Sequence, residues 1–315
     1  MELYKPRGFA EYFQDTFAFL KQNGRHFFKH YFIINGAFII ILLACFYFFM
    51  RFYTDFITSN LNNPDAAASM ENYMNENGGL MILIGIAVFF LALIAGVLNY
   101  VYTPVYLILY EKHQGSSFGT KDILNYLKEK AGKILIFILA GIIVSIPVLI
   151  AAGIISFVLM ITIVGMLLII MVMALIMMIY QFALIEYLQE EKGVFDSFSY
   201  ALQLCFKKFW AATGCVSLFY LMTQTVQGLV TLIPYFIGII SIFSSSQNIE
   251  DNPEDNVIAI LTLATLVYVV TILLGIILNT ILQMNQGVVF FSLKEESENI
   301  NTKSVIDQIG TSDPY

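Results

Sequence analysis

Six polar side chains recur along one otherwise apolar stretch of this chain: Thr213, Ser217, Tyr220, Gln224, Gln227 and Thr231. At 100° per residue they fall within an arc of about 80°, so a helix through them carries one continuous stripe of hydroxyls and amides. A second stretch places Thr271, Gly275, Asn279, Gln283 and Gln286 within about 120°, and a third presents Asn99, Tyr102, Thr103, Tyr106 and Tyr110. Two uses fit such faces. Side-chain amides and hydroxyls hydrogen-bond between helices, each contact contributing roughly 0.6 kcal/mol. Alternatively the stripes line a cavity, open to the cytoplasm, that holds a lipid headgroup or a small polar solute. The candidate cavity comprises Asn99, Thr103, Thr213, Ser217, Tyr220, Gln224, Gln227, Asn279, Gln283 and Gln286.

Ionisable chemistry is thin by comparison. His26, His30 and His113 are the histidines; His26 and His30 stand at i, i+4, a spacing that puts two rings on one helix face but supplies neither a third metal ligand nor a neighbouring Glu in a metalloprotease pattern. Cys45, Cys205 and Cys215 sit in or against apolar segments and show no metal-ligand or disulfide-framework spacing. No phosphate-binding loop, nucleophile elbow or dinucleotide fingerprint occurs. Neither a catalytic residue set nor a cofactor or metal is expected. Glu186 is the acid nearest the interior of an apolar stretch, with Lys133, Lys207 and Lys208 as its expected partners.

The elements that position these residues follow from composition. Of 315 residues, 58% are apolar and only 12% charged, about half the charge a soluble domain carries. A span needs about 20 mostly apolar residues, because every backbone polar group must be satisfied inside a roughly 30 Å hydrocarbon layer. Blocks at 31–53, 80–110, 134–185, 210–243 and 257–291 meet that length. The third is long enough for two spans and divides at a turn near Met160 to Gly165, which makes six. The expected fold is all-α: a polytopic six-helix bundle forming a single integral membrane domain over 1–315. Pro104, Pro147 and Pro234 mark candidate kinks in the second, third and fifth spans.

Orientation follows from Lys and Arg, which are retained on the cytoplasmic side. Segments 1–30, 111–133, 187–209 and the tail carry all of the 16 cations except Arg51. The loops 54–79 and 244–256 carry only acids, among them Asp65, Glu71, Glu250 and Asp255. Both termini are therefore expected in the cytoplasm, with the first span serving as its own insertion signal. A net charge of −7 without a basic face argues against nucleic acid as a partner; the expected partners are the bilayer and a membrane-protein complex or a second copy of the chain.

Three Lys-rich segments also share an amphipathic pattern. Phe9, Tyr12, Phe13, Thr16, Phe17 and Leu20 line one face of the first. Phe195, Phe198, Leu202, Cys205, Phe206 and Phe209 do so in the third, and Ile123, Tyr126 and Leu127 form a shorter version in the second. Capping residues are expected at Gly119–Thr120 and Asp196–Ser197. Each segment precedes a pair of spans, so the chain reads as three units, about 7–110, 117–188 and 194–293, each an interfacial helix plus a helical hairpin, with a cytoplasmic tail over 294–315.

The run from Phe195-Asp196-Ser197-Phe198 to Lys207-Lys208-Phe209-Trp210, which opens a span, resembles the unit of the glycerophosphoryl diester phosphodiesterase membrane-domain family and related six-span bacterial proteins. Arg7-Gly8-Phe9, Lys29-His30-Tyr31-Phe32 and Phe290-Phe291-Ser292-Leu293-Lys294-Glu295 look like the versions common in Bacteroidetes. The resemblance implies an inner-membrane protein of the same layout and no catalytic residues, since the phosphodiesterase chemistry of fused relatives belongs to a separate soluble barrel. A carotenoid-oxygenase label carried by some relatives implies four histidine ligands, against the three in this chain. A non-enzymatic, lipid-binding or complex-accessory role is the expectation, with passive or facilitated transport of a small polar solute as the alternative.

Overall fold

The computed structural model describes the backbone of residues 1–62, 66–189, 192–245 and 253–301, and the side chains of these except 55, 57–77, 238–257, 259 and 260. The side chains of the acidic loops 54–79 and 244–256 thus lie almost wholly outside the described residues, as does the tail from residue 302.

Within the described residues the chain is helical and holds no strand. The helices are α1 (Phe9–Asn62), α2 (Ala66–Lys112), α3 (Thr120–Glu129), α4 (Ala131–Leu159), α5 (Ile163–Leu188), α6 (Val194–Lys207), α7 (Phe209–Ser245) and α8 (Pro253–Glu298). Six of them, α1, α2, α4, α5, α7 and α8, contain stretches long and apolar enough to cross a membrane. Their most apolar residues face outward: Ile143, Ile146 and Leu149 are each about 60% exposed, and Phe157 is 74% exposed. A water-soluble fold would bury such side chains. Lipid is the medium that matches them, and the protein is an all-α integral membrane protein with six spans.

The turn dividing the long third block falls at Met160–Thr162. Thr162 caps α5 by accepting a hydrogen bond from the Gly165 amide at 2.9 Å. Gly165 is required by space, since a Cβ there would stand 1.9 Å from the Leu159 carbonyl oxygen.

Two departures from the sequence reading concern helix ends. The segment 54–79, expected as a loop, is helical over 54–62 and 66–79, and Ala66-Ala67-Ala68 favours a helix start. The first amphipathic segment is not a separate interfacial helix but the opening of α1, which runs unbroken for 54 residues with no proline inside it and only Gly24 and Gly36 lacking a side chain. The second and third are separate, as α3 and α6, set off by Lys130 and by Lys208, whose φ of −130° and ψ of 53° leave the helical region.

At α3 the cap falls on the first of the expected pair, Gly119, and Asp122 accepts from its amide at 2.8 Å. Gly8 stands in the same relation to Glu11, at 2.7 Å, before α1. Gly193 is the N-cap of α6, with the Asp196 carboxylate beside it. A Gly-x-x-acid start therefore opens all three amphipathic segments, and in α1 and α3 the third residue of the helix accepts from the glycine amide.

By packing, the described chain separates into two compact units. The first gathers Met1–Ile34, Asn99–Thr223 and the chain from Asn279; the second gathers Asn35–Leu98 and Gln224–Leu278. The middle hairpin, α4–α5, lies whole in the first unit, whereas α1, α2, α7 and α8 each contribute a segment to both. The first unit holds most of the buried aromatic core, including Phe19, Phe27, Tyr102, Tyr106, Phe182, Phe219 and Phe290. Close approach there has a visible cause at Gly287, where a Cβ would meet Leu107 at 2.1 Å.

Candidate functional site

In the first unit, α2, α5 and α8 enclose a groove of about 290 Å³. Tyr100 comes from α2, Ile176, Met177 and Tyr180 from α5, and Asn279, Leu282, Gln283 and Gln286 from α8. The spacing on α8 is helical, so i, i+3, i+4 and i+7 bring one apolar and three amide side chains to a single face. Tyr180 and its neighbours stand one turn apart on α5 for the same reason. The Tyr180 hydroxyl is already engaged, donating to the Gly141 carbonyl at 3.1 Å. Gln283 is 4% exposed, and its side-chain carbonyl oxygen has no donor among the described residues. The lining carries no Lys, Arg, Asp, Glu or His.

Along each helix the groove stands some way from the nearest charged side chain. Tyr100 precedes Glu111 by 11 residues, Tyr180 precedes Glu186 by 6, and Gln283 precedes Lys294 by 11. At 1.5 Å per residue these separations are roughly 9–17 Å. The groove therefore lies within the apolar part of its three helices, a few turns from their charged ends.

Those ends form a charge network. Glu186 and Lys294 are both fully buried and meet at 2.9 Å. Lys192 reaches the second carboxylate oxygen of Glu186 at 2.5 Å, and Lys294 also donates to Gln189 at 3.0 Å. Lys133, Lys207 and Lys208, the partners expected from sequence, are occupied elsewhere: Lys133 lies over the Tyr187 ring, Lys207 donates to the Glu296 carbonyl, and Lys208 pairs with the Glu296 carboxylate. The N-terminal strap joins this network. Arg7, 2% exposed, pairs with Asp15 at 2.7 Å and donates to the carbonyls of Glu2, Leu3 and Lys5, while its own carbonyl accepts from Lys208.

Of the ten candidate cavity residues, Asn279, Gln283 and Gln286 come together in the groove. Thr103, Thr213 and Ser217 are buried in the same unit, and Ser217 donates to the Thr213 carbonyl at 2.7 Å. Asn99 is half-buried, its carbonyl oxygen lacking a donor among the described residues, and Tyr220 is half-buried. Gln224 and Gln227 belong to the second unit, where Gln224 is exposed and Gln227 lies against Gly275, its carbonyl oxygen 3.3 Å from where a Cβ would stand. The stripe on α7 is thus divided after Thr223.

Sequence reasoning missed Tyr100 and Tyr180 as groove residues, and it missed two polar residues of the core. Gln181 is fully buried with neither amide atom partnered among the described residues. Asn285 donates to Thr16 at 3.0 Å and to the Cys215 sulfur at 3.6 Å. For Gln181 the available signal was a polar amide alone in an apolar run; Asn285 stands beside Gln283 and Gln286 in sequence, but not on the helix face they share.

The histidines hold helices together. The Phe118 carbonyl can only accept, so His26 Nε2 donates to it at 2.9 Å, and Nδ1 accepts from the Tyr106 hydroxyl at 2.9 Å. His30 contacts Thr120 Oγ1 at 2.6 Å, with its ring centroid 4.4 Å from that of His26.

Comparison with protein-family models, with curated proteins and with solved structures returns no match for this chain.

Proposed function

We propose that this protein is a non-enzymatic integral protein of a bacterial cytoplasmic membrane, with both termini in the cytoplasm, that binds a lipid in the groove between α2, α5 and α8. The observation that carries this reading is the Gln283 carbonyl, buried without a donor in a groove of about 290 Å³ whose other walls include Ile176, Met177 and Leu282. An unpaired buried acceptor is costly, and a ligand that supplies a donor removes the cost. Volumes of this order lie at the lower end of those that hold small ligands, roughly 300–1,000 Å³. The resemblance to the six-span membrane-domain family supports the same non-catalytic role, whether the lipid is cargo or a fixed element of a larger membrane complex.

Passage of a polar solute is the weaker reading. It requires polar side chains along whole spans, and beyond Thr231 the α7 stripe gives way to Leu232, Ile233, Tyr235 and Phe236. The test is mass spectrometry of molecules that co-purify with the protein in native-membrane nanodiscs. A discrete lipid lost on Gln283→Leu and kept on Gln224→Leu supports the proposal; the same bulk-lipid profile from all three proteins overturns it.

A further inference from the structure

The groove's chemistry restricts what it takes, and the restriction rests on the lipid-binding reading above. We infer that the ligand is an uncharged lipid bearing a hydroxyl or amide donor near the start of its acyl chains, the class to which diacylglycerol belongs. Three observations lead there. Charge is excluded first: no cationic or anionic side chain lines the groove, and the nearest along each helix is roughly 9–17 Å away. A phosphate or carboxylate held at that depth would be buried without a counter-charge. Polarity follows from Gln283, whose carbonyl is an acceptor with no donor among the described residues. A purely acyl or ether-capped ligand leaves it unpaired, whereas an O–H or N–H donor satisfies it. Tyr180 reinforces this demand, because its hydroxyl hydrogen is spent on Gly141 and only its lone pairs face further partners. Apolar contact comes last: Ile176, Met177 and Leu282 offer surface for the first methylenes of a chain.

Three photoactivatable probes with identical acyl chains separate these terms: diacylglycerol, its O-methyl ether, and phosphatidic acid. They differ only in whether the head donates, merely accepts, or carries charge. With the full-length protein in phosphatidylcholine nanodiscs, cross-linked peptides are mapped by mass spectrometry. Diacylglycerol is expected to label the segments around Met177 and Leu282 about tenfold more than either other probe, the effect of one unmade buried hydrogen bond. Gln283→Leu should abolish that preference while leaving thermal stability unchanged or raised, since it removes an unpaired polar atom. Ile176→Trp, which fills the groove and keeps Gln283, should abolish labelling by all three. Equal labelling by the methyl ether, or preferential labelling by phosphatidic acid, overturns the donor inference and leaves lipid binding standing. Absence of labelling in the groove by every probe overturns both.

Discussion

The ammonium of Lys294 and the carboxylate of Glu186 meet at 2.9 Å with neither side chain exposed, joining the end of α8 to the end of α5 across 108 residues of sequence. Breaking such a pair from one side strands a buried charge, whereas replacing both partners with apolar groups does not. Glu186→Leu, which takes from buried Lys294 the carboxylate it meets, is therefore expected to destabilise the protein by about 3 kcal/mol, and Glu186→Leu combined with Lys294→Met should recover most of that loss. Thermal unfolding in detergent of the two single variants and the double variant measures it; additive losses in the double variant would contradict the pairing.

That pair also marks where sequence reasoning stopped. Glu186 was identifiable as the acid nearest the interior of a span, but its partner was sought among Lys133, Lys207 and Lys208. Nothing local distinguishes Lys294 from those, because the choice depends on how α5 and α8 pack.

Trp210 is the only tryptophan in the chain and is 72% exposed at the start of α7, next to exposed Phe206 and Lys207. An indole so placed belongs at the headgroup boundary. Its fluorescence should be quenched more by lipids brominated near the ester than by those brominated near the chain terminus. Stronger quenching from the bilayer centre would displace α6 from the interface.

Gly165→Ala should cost about 2 kcal/mol, because its methyl group meets the Leu159 carbonyl and the turn between α4 and α5 must open. Gly141→Ala, whose nearest new neighbour is Tyr180 at 3.5 Å, should stay within about 0.5 kcal/mol of the native protein. Unfolding midpoints of the two variants side by side test the difference.

Cys205 is buried on α6, and burial pushes its thiol above the ordinary range. Since the thiolate is the reactive form, raising the pH from 7 to 9 should not expose it to maleimide while the fold persists. A cysteine placed at exposed Ser199 should react readily over the same range. Peptide-level mass spectrometry distinguishes the two, and rapid native-state labelling of Cys205 would show that α6 lifts away.

Ser117→Cys, in the connection between Lys112 of α2 and Lys121 of α3, should be labelled by an impermeant reagent only after cells are permeabilised. Ile161→Cys, in the turn between α4 and α5 and 77% exposed, should be labelled in intact cells. The reverse pattern would place both termini outside.

The sequence alone determined the number of spans, the turn near Met160–Gly165 and the amphipathic segments, because hydrocarbon thickness and helical rise translate directly into runs of apolar residues. Tertiary structure decided which polar residues share a site. Periodicity puts Asn279, Gln283 and Gln286 on one face of α8, but only packing brings Tyr100 of α2 and Tyr180 of α5 to that face and leaves Gln224 elsewhere. A stripe is a property of one helix; a groove is a property of three, and the helix each face meets is set by the summed fit of side chains far apart in the chain.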